Sequence, residues 1–210
     1  MKNLLLLLVL LAFAVNSHSK EFIGKNFSAT FGKTHKSLVG KSGGIKSRGA
    51  IEYSYPSKLK IDQTAPVDSL LITNGKKTWF YSKPFDPKLE KGEVVVEESS
   101  KNLLAGFFDA LRKGLVNNKA YSVKKVGKQK EVHYELTFSK AYEKLFNLSK
   151  VHLFPKVPKV QTIRDIDKLV IFQSNGAKSE YRFLKFNEGV RFSKGYFDFK
   201  IPKGTNVTTR

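Results

Sequence analysis

Asp68 to Tyr81 constrains the fold most, because it carries a turn signal between two β-rich runs and the only tryptophan of the chain. Asn74 and Gly75 both tolerate positive φ, and a two-residue type I′ turn there matches the twist of its flanking strands. Such a turn predicts the register: Thr73 opposite Lys76, Ile72 opposite Lys77, Leu71 opposite Thr78 and Leu70 opposite Trp79. Leu70, Ile72, Trp79 and Tyr81 then share one face, and Leu71 and Phe80 the other. A hairpin apolar on both sides must be covered on both, so it belongs inside a larger sheet with apolar material above it. An ordinary core hairpin and the wall of a cavity both fit this pattern.

The chain ahead of it opens on a secretory pattern. Lys2 supplies the positive start and Leu4 to Val15 the apolar run, and Ala12-Phe13-Ala14 or Ser17-His18-Ser19 a small-x-small cleavage site, so residues 1–19 read as a signal peptide and 20–210 as one exported domain. The apolar run falls short of the ~20 residues that cross a bilayer as a helix. Without cysteine the chain has neither disulfides nor a lipid-bearing thiol.

Lys20 to Phe31 reads as a short amphipathic helix on the spacing of Phe22, Ile23, Phe27 and Phe31. From there the pattern turns to strands: Lys33 to Gly40, Ile45 to Tyr55, the Leu59 and Ile61 segment, the hairpin, and Glu93 to Glu98. Ser99 to Gly114 is the best helix, with a stripe of Leu103, Leu104, Phe107, Phe108 and Leu111 and Gly114 as its C-cap. Pattern alone does not separate a packed core helix from a lid. Tyr121 to Val126, Glu131 to Phe138, Val151 to Phe154, Ile166 to Gln173 and Lys178 to Phe186 follow as strands, the last two around Asn175-Gly176. Ala141 to Asn147 is a helical turn, and Gly189 to Phe192 and Tyr196 to Lys200 complete the strands. Many strands, two or three helices and few long crossovers make an antiparallel α+β domain.

Catalytic patterns are missing. His18, His35, His133 and His152 are scattered, and His133 takes an outward position on an alternating strand, which suits a surface histidine. Glu97 and Glu98 point to opposite faces, and Asp165 and Asp167 share a face without a third ligand to complete a metal site. No phosphate loop, nucleophile elbow or dinucleotide fingerprint occurs. This excludes the familiar enzyme classes and implies no cofactor. The net charge of +20 suggests nucleic acid, but the lysines are spread along the chain without a recognition motif, leaving a solubilising surface or attraction to anionic membranes. Seventeen Phe and eight Tyr, with no polar constellation beside them, suit a binder of something hydrophobic.

Four segments resemble the LolA family, the periplasmic carriers of outer-membrane lipoproteins: Phe27 to Phe31 at the end of the family's first helix, Gly49 to Pro56 (GAIEYSYP), Thr73 to Tyr81 (TNGKKTWFY), and Phe197 to Val207 (FDFKIPKGTNV). The resemblance implies an unclosed antiparallel β-barrel with two or three helices over its open face and an apolar cavity between. It implies a monomer whose cavity takes the acyl chains of a lipoprotein released by an inner-membrane LolCDE-type transporter and passes them to a LolB-like outer-membrane acceptor. On this chain the cavity wall would be Phe27, Ile51, Tyr53, Leu70, Ile72, Trp79, Tyr81 and the stripe Leu103, Leu104, Phe107, Phe108 and Leu111. Tyr55 stands where the family commonly has arginine before the proline, and so becomes the lid contact; its hydroxyl can make one hydrogen bond but no charged fork. The excess of lysine keeps open another cargo on the same fold, an anionic lipid or glycolipid, and a role as a sensor of mislocalised lipid.

Overall fold

The computed structural model describes residues 21–36, 44–84, 86, 88, 91–98, 103–128 and 132–210, with the side chains of 103 and 146 excepted. Strands β1 (Asn26–Lys36), β2 (Ile45–Ser54), β3 (Lys58–Ala65), β4 (Ser69–Asn74), β5 (Lys77–Ser82) and β6 (Glu93–Glu98) precede helix α1 (Leu103–Leu111). Strands β7 (Tyr121–Val126) and β8 (His133–Phe138), helix α2 (Lys140–Phe146), and strands β9 (Leu148–Pro155), β10 (Ile166–Gln173), β11 (Lys178–Glu188) and β12 (Asn206–Thr209) follow. Among the described residues no helix is long and apolar enough to cross a membrane.

All these strands form one sheet in the order β12-β6-β5-β4-β3-β2-β1-β11-β10-β9-β8-β7. Every neighbour is antiparallel except β12, which runs parallel to β6. The two ends, β12 and β7, do not pair with each other, so the sheet stays unclosed. It is nevertheless strongly curled. Strands β5 and β9 lie seven places apart in the order, roughly 34 Å if the sheet were flat. Yet Phe80 of β5 and Leu148 of β9 line one cavity of about 250 Å³. A bulge at Leu184 of β11, opposite Thr30 and Phe31 of the central strand β1, helps to bend it.

The inner face of the curl carries the main core. Phe27, Tyr53 and Leu59 form one row across β1, β2 and β3, and Ala29, Ile51, Ile61, Leu71 and Phe80 form the next row out to β5. Leu136, Val151, Leu153, Leu169 and Ile171 continue this face on β8, β9 and β10, and α1 lies on it through Ala105, Phe107, Phe108 and Leu111. Rings interlock at the centre: Phe108 packs edge-on to Phe27 at 5.3 Å, and Phe107 meets Phe138 at 6.0 Å.

The outer face has a separate, smaller core. Ile72, Trp79 and Val94 are covered there by Phe197, with Phe192, Tyr196 and Phe199 around it. Polar pins fix this closing segment: the Tyr196 hydroxyl donates to Glu52 at 2.7 Å, and the Asn74 amide donates to Asp198 at 2.8 Å.

Several expectations change. Phe27 to Phe31 is not the end of a helix, since β1 begins at Asn26 and pairs with both β2 and β11. The aromatic spacing there also satisfies a strand, with Phe27, Ala29 and Phe31 alternating inward, and neighbours on both sides decide for it. Residues 37–40 of the expected first strand lie outside the described residues. Gly189 to Phe192 and Tyr196 to Lys200 form no strands; they are the irregular cover of the outer face. The opening hairpin is real but its register is shifted by two: Thr73 pairs with Thr78, Ile72 with Trp79 and Leu70 with Tyr81. The Asn74 carboxamide accepts from the backbone N–H groups of both Lys76 and Lys77 at 2.9 Å, and the two-residue connection is Gly75-Lys76, one residue later than Asn74-Gly75.

Gly49 of β2 lies against the β3 backbone beside a register shift between the two strands. A β-carbon there would sit 2.2 Å from the Asp62 carbonyl oxygen. Gly49→Ala should therefore destabilise the fold by at least about 2 kcal/mol, read as a lower urea midpoint.

Candidate functional site

Helix α1 spans nine residues, too few to hold helical structure in water alone. Its aromatic face creates it, and its position on the sheet follows. Gly114, with φ of 88°, turns the chain after it and donates to the Leu111 carbonyl at 2.9 Å. The Tyr121 hydroxyl donates to the Gly114 carbonyl at 2.9 Å, tying the end of this segment to β7. The segment before β1 closes the other side, where the Phe22 N–H donates to the Arg112 carbonyl at 3.3 Å.

One carboxylate fastens the helix to the sheet. Asp109 accepts from the Tyr53 hydroxyl at 2.6 Å, from the Ser57 N–H at 3.1 Å and from the Ser57 hydroxyl at 2.6 Å. Burial, reinforced by the Asp109 carboxylate, pushes the Tyr53 hydroxyl far above the usual phenol range, so it stays a donor. Beside it the Arg112 guanidinium stacks 4.0 Å above the ring of Tyr55 and pairs with Glu21. Tyr55 thus meets the end of the α1 segment through its ring face. The cation sits on the helix side of the contact and the aromatic on the sheet side.

Under α1 the apolar inner face narrows to a dry crevice between Phe31, Ile51, Ile61, Leu104, Phe108 and Leu169. It widens into the cavity of about 250 Å³, walled by Leu71, Phe80, Leu104, Leu148, Ile171 and Tyr181, with Lys33, His35, Gln173 and Ser179 at its polar side. Lys33 lies 5.5 Å from the Tyr181 ring centroid, and burial pulls its ammonium below the ordinary lysine value. A larger groove of about 770 Å³ opens on the other face beside Trp79, but it is walled by Lys76, Lys77, Glu97, Glu98 and Arg210. Those charges would leave an acyl chain beside groups that need water, so the inner cavity is the candidate for an apolar ligand.

The expected cavity wall is divided by the sheet. Phe27, Ile51, Tyr53, Leu104, Phe107, Phe108 and Leu111 come together on the inner face. The Leu103 side chain lies outside the described residues. Leu70, Ile72, Trp79 and Tyr81 point to the outer face, and Ile72 and Trp79 lie under Phe197 rather than beside α1. A shift of two residues keeps the two faces of the hairpin intact; what the sequence did not specify was which face meets the helix. Leu71, Phe80, Leu148, Ile171 and Tyr181 take the places at the cavity instead. Asp109 falls outside the apolar stripe of the helix. Its only signal in sequence is an acid one turn from an apolar stripe, facing a Tyr-x-Tyr-Pro-Ser segment.

A curled, open sheet with a polar-pinned helix over its apolar inner face defines a half-barrel with a helical lid. The sequence profile described as outer membrane lipoprotein carrier protein LolA matches residues 25–200, and the chain belongs to the LolA family. It is 22% identical over 186 residues to an outer-membrane lipoprotein carrier protein of Chromobacterium violaceum, covering 88% of this chain and 82% of that one. Among solved structures it is similar to a LolA superfamily protein of Nitrosomonas europaea, at 10% identity and a TM-score of 0.47, covering 86% of this chain and 93% of the other.

Asp109→Ala leaves the Tyr53 and Ser57 donors unpaired at the sheet. We expect a loss of about 1–3 kcal/mol in stability and, in hydrogen exchange, faster opening of α1 than of β1 or β10.

Proposed function

We propose that this chain is a soluble periplasmic carrier that takes lipoprotein acyl chains between α1 and the inner face of the sheet. A LolCDE-type transporter delivers the cargo, a LolB-like acceptor receives it, and the carrier works as a monomer without catalysis. Family membership supports the class of cargo. The observation that carries the mechanism is a helix held on apolar residues by a polar fastening, Asp109 with Tyr53 and Ser57.

Shielding acyl chains is a large term, about 0.8 kcal/mol for each CH₂ kept from water. The inner cavity, about 250 Å³, lies below the ~300–1,000 Å³ of ordinary ligand sites. Cargo therefore enters by displacing α1, and its chains take over the apolar contacts that Leu104, Phe108 and the sheet make with each other. The fastening sets how much of that gain is spent on opening. Release reverses the exchange: α1 competes with the acyl chains for the same surface.

A second reading rests on Lys33 and His35 beside the cavity. A half-buried cation next to an apolar pocket suits an anionic lipid, whose chains would lie under α1 with the head group at Lys33. Lipid extraction and mass spectrometry of protein purified from periplasm separates the two: a co-purifying triacylated lipoprotein selects the first, phospholipid or glycolipid alone the second. Protein that carries neither and takes up no fluorescent fatty acid overturns both.

Two variants test the location. Asp109→Ala should speed uptake of a fluorescent fatty acid about tenfold, the equivalent of ~1.4 kcal/mol less to open the lid. Trp79→Ala should lower stability by about 3 kcal/mol in urea unfolding while leaving that uptake within twofold, since Trp79 packs on the outer face.

A further inference from the structure

The outer face of β8 and β9 holds a group of side chains with no part in the lid or the cavity. His133 and Glu135 are two residues apart on β8, so both point to the same side. Glu135 pairs directly with His152 of β9, and the His152 Nε2 lies 3.0 Å from the Glu135 Oε2. One ligand atom from each of the three residues lies within 4.8 Å of the other two. We infer that His133, Glu135 and His152 form a binding site for a divalent transition-metal ion, zinc in the first instance.

Two imidazoles and a carboxylate are a donor set that zinc accepts, with water as the fourth ligand. Ligand atoms about 2.1 Å from a tetrahedral ion stand roughly 3.4 Å apart, so side-chain rotation closes the set without moving the strands. The rings are already held in place. His133 stacks on His152 at 4.5 Å and on Phe154 at 5.0 Å, and Phe172 lies 4.7 Å from His152. Such an apolar surround fixes ligand orientation and limits access of water. His152 and Glu135 keep about a fifth of their side-chain surface exposed, at 18% and 23%, so an ion can reach them.

Lys150 shares the same carboxylate. Its Nζ stands 3.1 Å from the same Glu135 Oε2 that meets His152. The site already attracts a cation to its carboxylate, and zinc binding would replace that ammonium. Removing the lysine charge should therefore strengthen metal binding, whereas nonspecific adsorption to surface histidines would not respond in that way.

The test is calorimetric titration of the full chain, freed of any histidine tag, with zinc sulfate, followed by the visible spectrum with cobalt chloride. We expect one ion per chain at micromolar affinity and a tetrahedral cobalt spectrum. His133→Ala and His152→Ala should each weaken zinc by at least about tenfold, with circular dichroism confirming the sheet, and Lys150→Gln should tighten it severalfold. Absence of saturable zinc uptake, an affinity unchanged in His133→Ala/His152→Ala, or one that Lys150→Gln leaves unchanged overturns the proposal. Should the histidine variants fail to fold, Lys150→Gln, which keeps all three ligands, decides alone.

Discussion

Everything on the inner side of this protein depends on the contact between the aromatic face of α1 and the curl of the sheet. Each fully buried Phe or Leu in that contact contributes about 1.5–3 kcal/mol, and Phe107, Phe108 and Leu111 are all buried to within 1%. The helix is too short to exist without this contact, and the sheet cannot leave its inner rows in water. The two parts therefore stabilise each other, and any apolar guest under the helix has to replace that mutual burial with its own.

The sheet solves a different problem on its other side. Strands β4 to β6 are apolar on both faces, so a second layer is needed, and the closing segment around Phe197 supplies it. Strand β12 then covers the edge of β6 by parallel pairing, removing a row of free backbone groups. From β7 to β11 the outer face is more polar, with Glu135, Lys150, Lys168 and Glu180 on it, and needs no cover. This division explains why one region holds a packed aromatic layer and the other a partly exposed set of ionisable side chains.

Much of the architecture was legible in the residues, because strands and their alternation are local properties. The antiparallel α+β class, the α1 stripe, Gly114 after the helix and both Asn-Gly connections follow from spacing and turn chemistry. What escaped depends on distant partners. Phe27 to Phe31 fits a helix or a strand by spacing, and only β2 and β11 on either side settle it. The hairpin register turned on the Asn74 carboxamide capping two backbone N–H groups. That Leu71 and Phe80, rather than Trp79, face the helix depends on which side of the sheet α1 crosses. Asp109 and the trio on β8 and β9 were hidden for the same reason, since each is assembled from strands or helices far apart in sequence.

The fastening at Asp109 has a consequence beyond its strength. Apolar packing is tolerant: a greasy helix displaced by one turn would still find rings to rest on. A carboxylate that must meet one hydroxyl on β2 and both donors of Ser57 admits a single alignment. The polar contacts thus act as an index pin and the aromatic ones as the adhesive. On the proposed opening, the helix would return to the same seat, and successive openings would start from an identical state.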